Sequence, residues 1–469
     1  MISNDIPSIL KIVFVSLLFA FPSIGFTQTI SYIDDNGNVV IDEEAFLPLG
    51  FYCEGMPFGE FGDIPARMDS AGFNILYTES TVGSDSEYQT FLQDCENRGL
   101  KNIIGLPYSF IDSTDFDLSV NKLSSYPSVA VWNILDDAND FEVSDIETQR
   151  RNLLRLDTTR ITLASWYTDD EPFPTMLPYV ESAGMQAYPW EDGSGNDLVF
   201  VESLWRLTAL KAQAANRCAI ATPQVFNWDD QSYPAADHID CQTYIGFITG
   251  LKGVLFYTFK DYDQNSTIDL TQAEQFSACS KIADEVLGSE LKDAFLLGKH
   301  EYHRINFYRY YATWEYNGFL YLIAVNANDD LTYEYSIPMP DFVLGEGENM
   351  FDYRPDSLRM SNGQLQGQLA PYQVAIYKFE ISTSTTSSTA NGNREAKIHP
   401  NPGSFVHIES PFESFRIDIL STDGKTMLTT TVQGHNGEVD LSKLPQGIYF
   451  CQLTDLKSTQ RISKKIIKN

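Results

Sequence analysis

The sequence predicts an α/β fold: a (β/α)8 TIM barrel, then an antiparallel β-sandwich, then a small all-β C-terminal domain. Three observations carry this prediction. Between Pro48 and Asp263, short apolar runs alternate eight times with stretches of helical period. Four successive runs end in an aromatic ring beside carboxylates, as WNILDD, WYTDDEP, YPWED and FNWDD. In α/β barrels the C-terminal strand ends are where loops carry chemistry. After Gly288 the hydrophobic period falls to two, the spacing of half-buried strands.

The elements follow in order. PLGFYCEG (Pro48–Gly55) reads as the first strand, Phe61–Ser70 as a helix and AGFNILYTES (Ala71–Ser80) as the second strand. Ser86–Arg98 has helical period and stops at Gly99, a residue suited to the left-handed helix cap. Gly99–Ser109 is the third strand, a helix lies around Val120–Tyr126, and VAVWNILDD (Val129–Asp137) is the fourth strand. The last is a continuous apolar run, as a strand covered on both faces requires, and it ends on Asp136 and Asp137. Ile161–Pro172 and Ala183–Asp192 are the fifth and sixth strands. The helix Val199–Asn216 precedes the seventh, Cys218–Asp230. A helix from His238 to Thr249 precedes the eighth, Gly250–Asp263. A doubly wound open sheet would show a Gly-rich phosphate turn after its first strand, and GFYCEG is not one. The alternating stretch Lys292–Ile381 predicts the sandwich, with a hairpin across Tyr316-Asn317-Gly318. Ser382–Asn393 is a Ser/Thr-rich linker without core-forming residues, and short strands with DG and QG turns follow it.

A chain of 469 residues exceeds one average domain. The expected division is a signal peptide at 1–28, the barrel at 29–287, the sandwich at 288–381, the linker at 382–394 and the last domain at 395–469. Lys11 followed by the apolar segment Ile12–Phe21 reads as a secretory signal, since the run is shorter than the roughly 20 residues a spanning helix needs. Net charge is −32, and all of the excess lies before Glu395. Such a surface repels nucleic acid, so that partner class is set aside. Six cysteines are compatible with disulfides in an exported protein. No CxxC or HxxxH spacing occurs, so no zinc site is expected, and no organic cofactor is expected either. Asp261, Asp263, Asn265, Thr267 and Asp269 alternate like a calcium loop. Ser266 and Gln272 stand where Gly and Glu would be needed, and an Asp-rich loop is the simpler reading. The six histidines are scattered away from the predicted barrel strand ends, which argues against a His-based triad.

Two resemblances add to this reading. HPNP (His399–Pro402), STDGK (Ser421–Lys425), VDLSKLPQGIYF (Val439–Phe450) and the terminal KKIIK (Lys464–Lys468) resemble the C-terminal sorting domain, type A, of the type IX secretion system. The resemblance implies a partner, the type IX secretion machinery. It also implies export through the periplasm and outer membrane of a Bacteroidota-type bacterium, removal of the tail, and release or surface attachment. PLGFY, AGFNILY, GLKNIIG, YPSVAVWNILDD, MQAYPW and TGLKGVLFYTF resemble glycoside-hydrolase-like (β/α)8 proteins of the retaining, two-carboxylate superfamily. That resemblance implies a carbohydrate substrate.

Glycosidases use two carboxyl groups flanking the scissile bond and line the cleft with aromatic rings. The family's fourth strand commonly ends W-x-x-x-D-E-P with Glu as acid/base, and here Asp137 stands at that place, shorter by one methylene. Where relatives put a nucleophilic Glu on the seventh strand, this chain has Gln224. The candidate catalytic residues are therefore Asp137, Asp136, Glu171 and Glu191. The candidate substrate-binding residues are Trp190, Trp228, Tyr188, Glu54, Gln224 and Asp229. Three readings stay open: Asp137 as acid with Glu171, Glu191, Asp229 or Glu54 as base; inverting hydrolysis across a water; or glycan binding without cleavage. Trp132 and Trp166 lie deep in their strands and read as core, whereas Trp190 and Trp228 lie at strand tips beside acids and read as sugar platforms.

Overall fold

A computed structural model describes residues 29–53, 63–80, 86–190, 198–226, 233–261, 268–269 and 274–382. In the C-terminal region it describes 397–399, 405–410, 412–421, 425–445, 447–457 and 461–468. The signal segment, most of the Asp-rich loop, Glu54, Glu191, Trp228 and Asp229 lie outside the described residues. The chain forms two compact units, Met1–Ser382 and Thr383–Asn469.

In the first unit, eight parallel strands close on themselves. They are β1 (Leu49–Cys53), β2 (Ile75–Glu79), β3 (Lys101–Gly105), β4 (Val129–Leu135), β5 (Ile161–Trp166), β6 (Ser182–Ala187), β7 (Cys218–Pro223) and β8 (Val254–Asp261). Each pairs with the next, and β8 pairs with both β7 and β1, so no edge is left open. Side chains alternate between two cores. Tyr52, Ile75, Tyr77, Ile103, Ile161, Leu163, Cys218, Ile220 and Leu255 fill the barrel interior. Phe51, Leu76, Ile104, Trp132, Trp166, Met185 and Phe256 pack outward in the larger core with the helices. The helix after Asp112 begins earlier than its periodicity suggests, at Ser113–Leu123. The Asp112 carboxylate accepts the Thr114 amide at 2.8 Å and so fixes the start. Gly99 takes φ +75° at the end of Ser86–Arg98, as the sequence predicts.

A three-stranded sheet (Ser31–Ile33, Val39–Ile41, Glu44–Phe46), not anticipated from the sequence, stops the N-terminal end of the barrel. Val39 and Ile41 join the interior core. Ser31 Oγ donates to Ala130 O at 2.6 Å and accepts from the Ile161 amide at 2.9 Å. With that end plugged, the C-terminal mouth is the end left to chemistry.

The sandwich pairs a five-stranded sheet (Lys299–Arg304, Arg309–Tyr316, Phe319–Asn326, Val374–Ile381, Val343–Asn349) with a three-stranded one (Tyr333–Pro338, Gln364–Leu369, Leu358–Ser361). Asn317 and Gly318 both have positive φ, the geometry of the tight hairpin turn expected there. Tyr310, Ala312, Trp314, Tyr321 and Ile323 pack into the barrel's outer core, whereas Tyr311, Leu320, Leu322 and Tyr335 fill the core of the sandwich. Arg354 rivets the two parts. Its guanidinium pairs with Asp240 at 2.7 and 2.8 Å and with Glu285 at 2.5 and 2.7 Å, and the Tyr244 hydroxyl donates to Glu285 at 2.7 Å.

The second unit has a sheet of Lys397–His399, Phe405–Glu409 and Asn436–Asp440 and another of Thr426–Gln433, Ser414–Ser421, Gly447–Asp455 and Arg461–Lys468, around its own core of Ile417, Ile419, Cys451 and Leu453. All six cysteines are buried and unpaired, so the disulfides their number allows are absent. Among the described residues no helix is long and apolar enough to cross a membrane.

Candidate active site

The tip of β4 organises the mouth. A β-bulge interrupts its pairing with β5, where Asn133 opposes Leu163 and Leu135 opposes Ala164. The extra residue lets Ile134 and Leu135 both pack outward. Asn133 and Asp136 are thereby turned toward the barrel axis, a re-aiming that bulges commonly perform beside active sites. Asp137 follows at φ +46°, ψ +49°, a left-handed conformation uncommon for a residue with a side chain. It opens to solvent, while Asp136 is half-buried.

The neighbouring strands hold both carboxyls. On β5 the Ser165 hydroxyl donates to Asp136 Oδ1. On β6 Gln186 Nε2 donates to Asp137 Oδ1 at 2.8 Å. Burial pushes the Asp136 carboxyl up to about 7, and the charges of Asp137 and Glu79 push the same way against the Asp137 backbone amide. The Asp137 carboxyl is also raised, by burial first and by Asp140, with the Gln186 bond opposing. Two adjacent acids of this kind titrate as a pair, and the first proton leaves the β4 tip only as pH approaches neutrality. Such a site can donate a proton to a leaving oxygen.

A cluster of aromatic rings lies at the same end of the barrel. Tyr52 lies 4.3 Å from Tyr77 and 5.4 Å from Tyr257, ring centre to ring centre. Tyr188 lies 5.7 Å from Tyr257 and meets Phe226 edge-on at 4.9 Å. Asn133 Nδ2 donates to the Tyr77 hydroxyl at 3.2 Å. The loops after β4 and β5 are laced together: Tyr167 donates its amide to Asn139 Oδ1 at 2.9 Å and its hydroxyl to Asp140 at 2.6 Å.

The other candidates fall differently. Glu171 is exposed and accepts the Thr175 hydroxyl at 2.8 Å, turned to its own short helix (Phe173–Met176). Trp190 is half-buried and stacks on His238 at 5.0 Å, and His238 in turn lies 4.3 Å from Tyr372 of the sandwich. The His238 ring therefore covers one face of that indole. Gln224 is buried. Its Oε1 accepts the Trp190 amide at 2.9 Å and its Nε2 donates to Phe226 O at 3.3 Å, so the side chain ties the β6 tip to the β7 tip. Trp132 and Trp166 are core, as expected: Trp132 Nε1 donates to Asp157 at 2.9 Å, and Trp166 meets Phe173 edge-on at 5.0 Å.

Sequence reading missed Glu79, Tyr77, Asn133, Ser165, Gln186 and Tyr257. Strand periodicity alone hides Asn133, because the bulge places it three residues before Asp136 and not two. A cavity of about 360 Å³ at the opposite, N-terminal end is lined by Arg206, Arg217, Lys252 and His300. These side chains cap carbonyls at the ends of helices and loops, such as Thr249 O, Pro178 O, Phe295 O and Ile248 O, so the cavity is a capping site and not the mouth.

Comparison with known proteins agrees with this architecture. Residues 397–469 match the family described as "Secretion system C-terminal sorting domain". No curated protein matches the chain significantly. Among solved structures, an alpha-amylase from Geobacillus thermoleovorans, complexed with acarbose, is 10% identical with a TM-score of 0.51, covering 72% of this chain and 99% of its own. A family 39 glycoside hydrolase from the gut symbiont Bacteroides cellulosilyticus is 12% identical with a TM-score of 0.50, covering 74% and 82%. Gamma-CGTase from alkalophilic Bacillus clarkii is 12% identical with a TM-score of 0.50, covering 87% and 76%. At these identities the likeness is one of fold. The chain joins a closed (β/α)8 barrel, the fold these glycoside hydrolases share, to a region that matches a secretion-system C-terminal sorting domain.

Proposed function

We propose that the protein is an exported glycoside hydrolase acting on environmental polysaccharide or oligosaccharide, with the Asp136–Asp137 pair supplying the proton to the leaving glycosidic oxygen. The observation that carries this reading is the Asp136 carboxyl, pushed up to about 7 at the C-terminal mouth of a closed barrel. A carboxyl in that range is protonated often enough at neutral pH to act as an acid and is weak enough to hold its proton until the transition state calls for it. Tyr188 and Tyr257, partly exposed at the same end of the barrel, add aromatic surface that suits a sugar. The sorting domain supports action outside the cell, on glycans the cell meets there, after export through periplasm and outer membrane.

A second reading, a surface protein that binds glycan without cutting it, is favoured by one observation. At the β7 tip the side chain is Gln224, whose amide is consumed by backbone bonds to Trp190 and Phe226. Incubation with a panel of neutral polysaccharides separates the two. Release of reducing ends that Asp136→Asn and Asp137→Asn abolish supports hydrolysis. Retention on a glycan array with no reducing-end release, unchanged in either variant, supports binding alone.

A further inference from the structure

We propose that Glu79, at the tip of β2, is the second carboxylate of this site, the general base that takes a proton from the attacking water. The inference rests on the hydrolytic reading above and names the group that reading lacks. Along β2, Ile75 and Tyr77 fill the barrel interior while Leu76 packs outward and Thr78 bonds the helix residue Tyr88 at 2.9 Å. The same alternation turns Glu79 to the mouth. One layer below, Tyr77 of β2 receives the hydrogen bond from Asn133 of β4 at 3.2 Å, so β2 and β4 meet across the barrel without a β3 side chain between them. The gap is made by Gly105, the last residue of β3. A Cβ there would lie 2.4 Å from the Tyr77 hydroxyl and 3.6 Å from Glu79 Cα. The Ser80 amide donates to Gly105 O at 2.8 Å and holds the β2 tip in register. Glu79 is exposed at the rim, and its charge is felt by Asp136 inside the mouth and by Tyr88 behind the strand.

The separation suits a single displacement. Two strand spacings of about 4.7–4.9 Å put the two tips roughly 9–10 Å apart along the sheet, a spacing with room for a sugar ring and a water between the two carboxyls. In the step, the water oxygen bonds to the anomeric carbon as Glu79 takes one of the water's protons. The bond from that carbon to the glycosidic oxygen breaks, and the oxygen leaves with the proton held by the Asp136–Asp137 pair. The product has inverted configuration, and one proton has passed from β4 to β2 through substrate and solvent.

The test uses the full-length protein and whichever neutral glycan of the panel the wild type cleaves. Glu79→Gln is expected to lower kcat by about 10²–10⁴-fold with KM little changed, and to remove the acidic limb of the pH–rate profile. Glu79→Asp keeps the carboxylate and should retain part of the activity. Azide added to Glu79→Ala should restore turnover and yield the glycosyl azide of inverted configuration. Circular dichroism and unfolding midpoints matching wild type show that each variant folds. A kcat for folded Glu79→Gln within about threefold of wild type, or a first-formed product of retained configuration, overturns the role of Glu79 alone. Absence of sugar release by the wild type from every glycan overturns the hydrolytic reading and the base with it.

Discussion

Asp136→Asn should make the barrel more stable at pH 8 and leave it nearly unchanged at pH 4. The ordinary carboxyl value is 3.8, and in the fold Asp136 is pushed up to about 7. The native state therefore binds this proton more tightly than the unfolded chain does, and stability falls with rising pH wherever that difference operates. The contribution is fully present below the unfolded value, is lost between about pH 4 and pH 7, and is flat above. At 1.36 kcal/mol per pH unit, a rise of about three units sets a ceiling of about 4 kcal/mol. Asp136 is only half-buried and shares its titration with Asp137, which reduces the expected gain to about 1–2 kcal/mol. Asparagine keeps the shape and the bond to Ser165 while carrying no charge to bury. Urea unfolding of wild type and variant at unit steps from pH 4 to pH 8, followed by barrel tryptophan fluorescence, reads the difference. A stability difference that is constant over this range, or that grows as pH falls, refutes the burial argument. It would also remove the ground for treating Asp136 as a proton donor.

Three further outcomes are expected from the same structure. Arg354→Met should cost about 3–5 kcal/mol in denaturant unfolding, because it leaves Asp240 and Glu285 facing each other without the cation at the barrel–sandwich junction; adding Asp240→Asn and Glu285→Gln should recover much of the loss. Gly105→Ala forces the Tyr77 hydroxyl off its place, 2.4 Å from the new methyl, and should cost about 1–3 kcal/mol while lowering kcat through the displaced Asn133; a fully active and equally stable variant contradicts the packing described at the mouth. The excess of 64 acidic over 32 basic side chains opposes polyanionic substrates. Neutral polysaccharides should therefore be turned over faster than polyuronates of matched length at low salt, with the gap narrowing as salt is added.

Much of the fold was legible because burial on two faces writes itself into residue order. VAVWNIL could only be a covered strand, and its structure is wholly buried. Gly99 and the Asn317–Gly318 pair marked backbone that needs positive φ, and they adopt it. The sorting domain was legible from its motifs. Of the candidate site, only the β4 tip shows in the sequence. Asp136 and Asp137 stand out as acids ending an apolar run, but Glu171, equally visible in TDDEP, is turned to Thr175 by a local helix start. Trp190 sits at a tip as expected, yet His238, forty-eight positions on, stacks against it.

What the sequence alone determined is the kind of molecule: eight strand–helix repeats, an alternating sandwich, an exported tail, and acids at strand ends. Those features follow from local period and composition, which do not depend on which strand lies beside which. What only the tertiary structure decided is the company each acid keeps. Closing the barrel sets β2 and β4 on either side of a glycine, brings Ser165 and Gln186 onto the two aspartates, and consumes Gln224 in scaffolding. A carboxyl's proton affinity is set by burial and by charges that approach through space, so the raised proton affinity of Asp136 emerges only when the barrel closes around it.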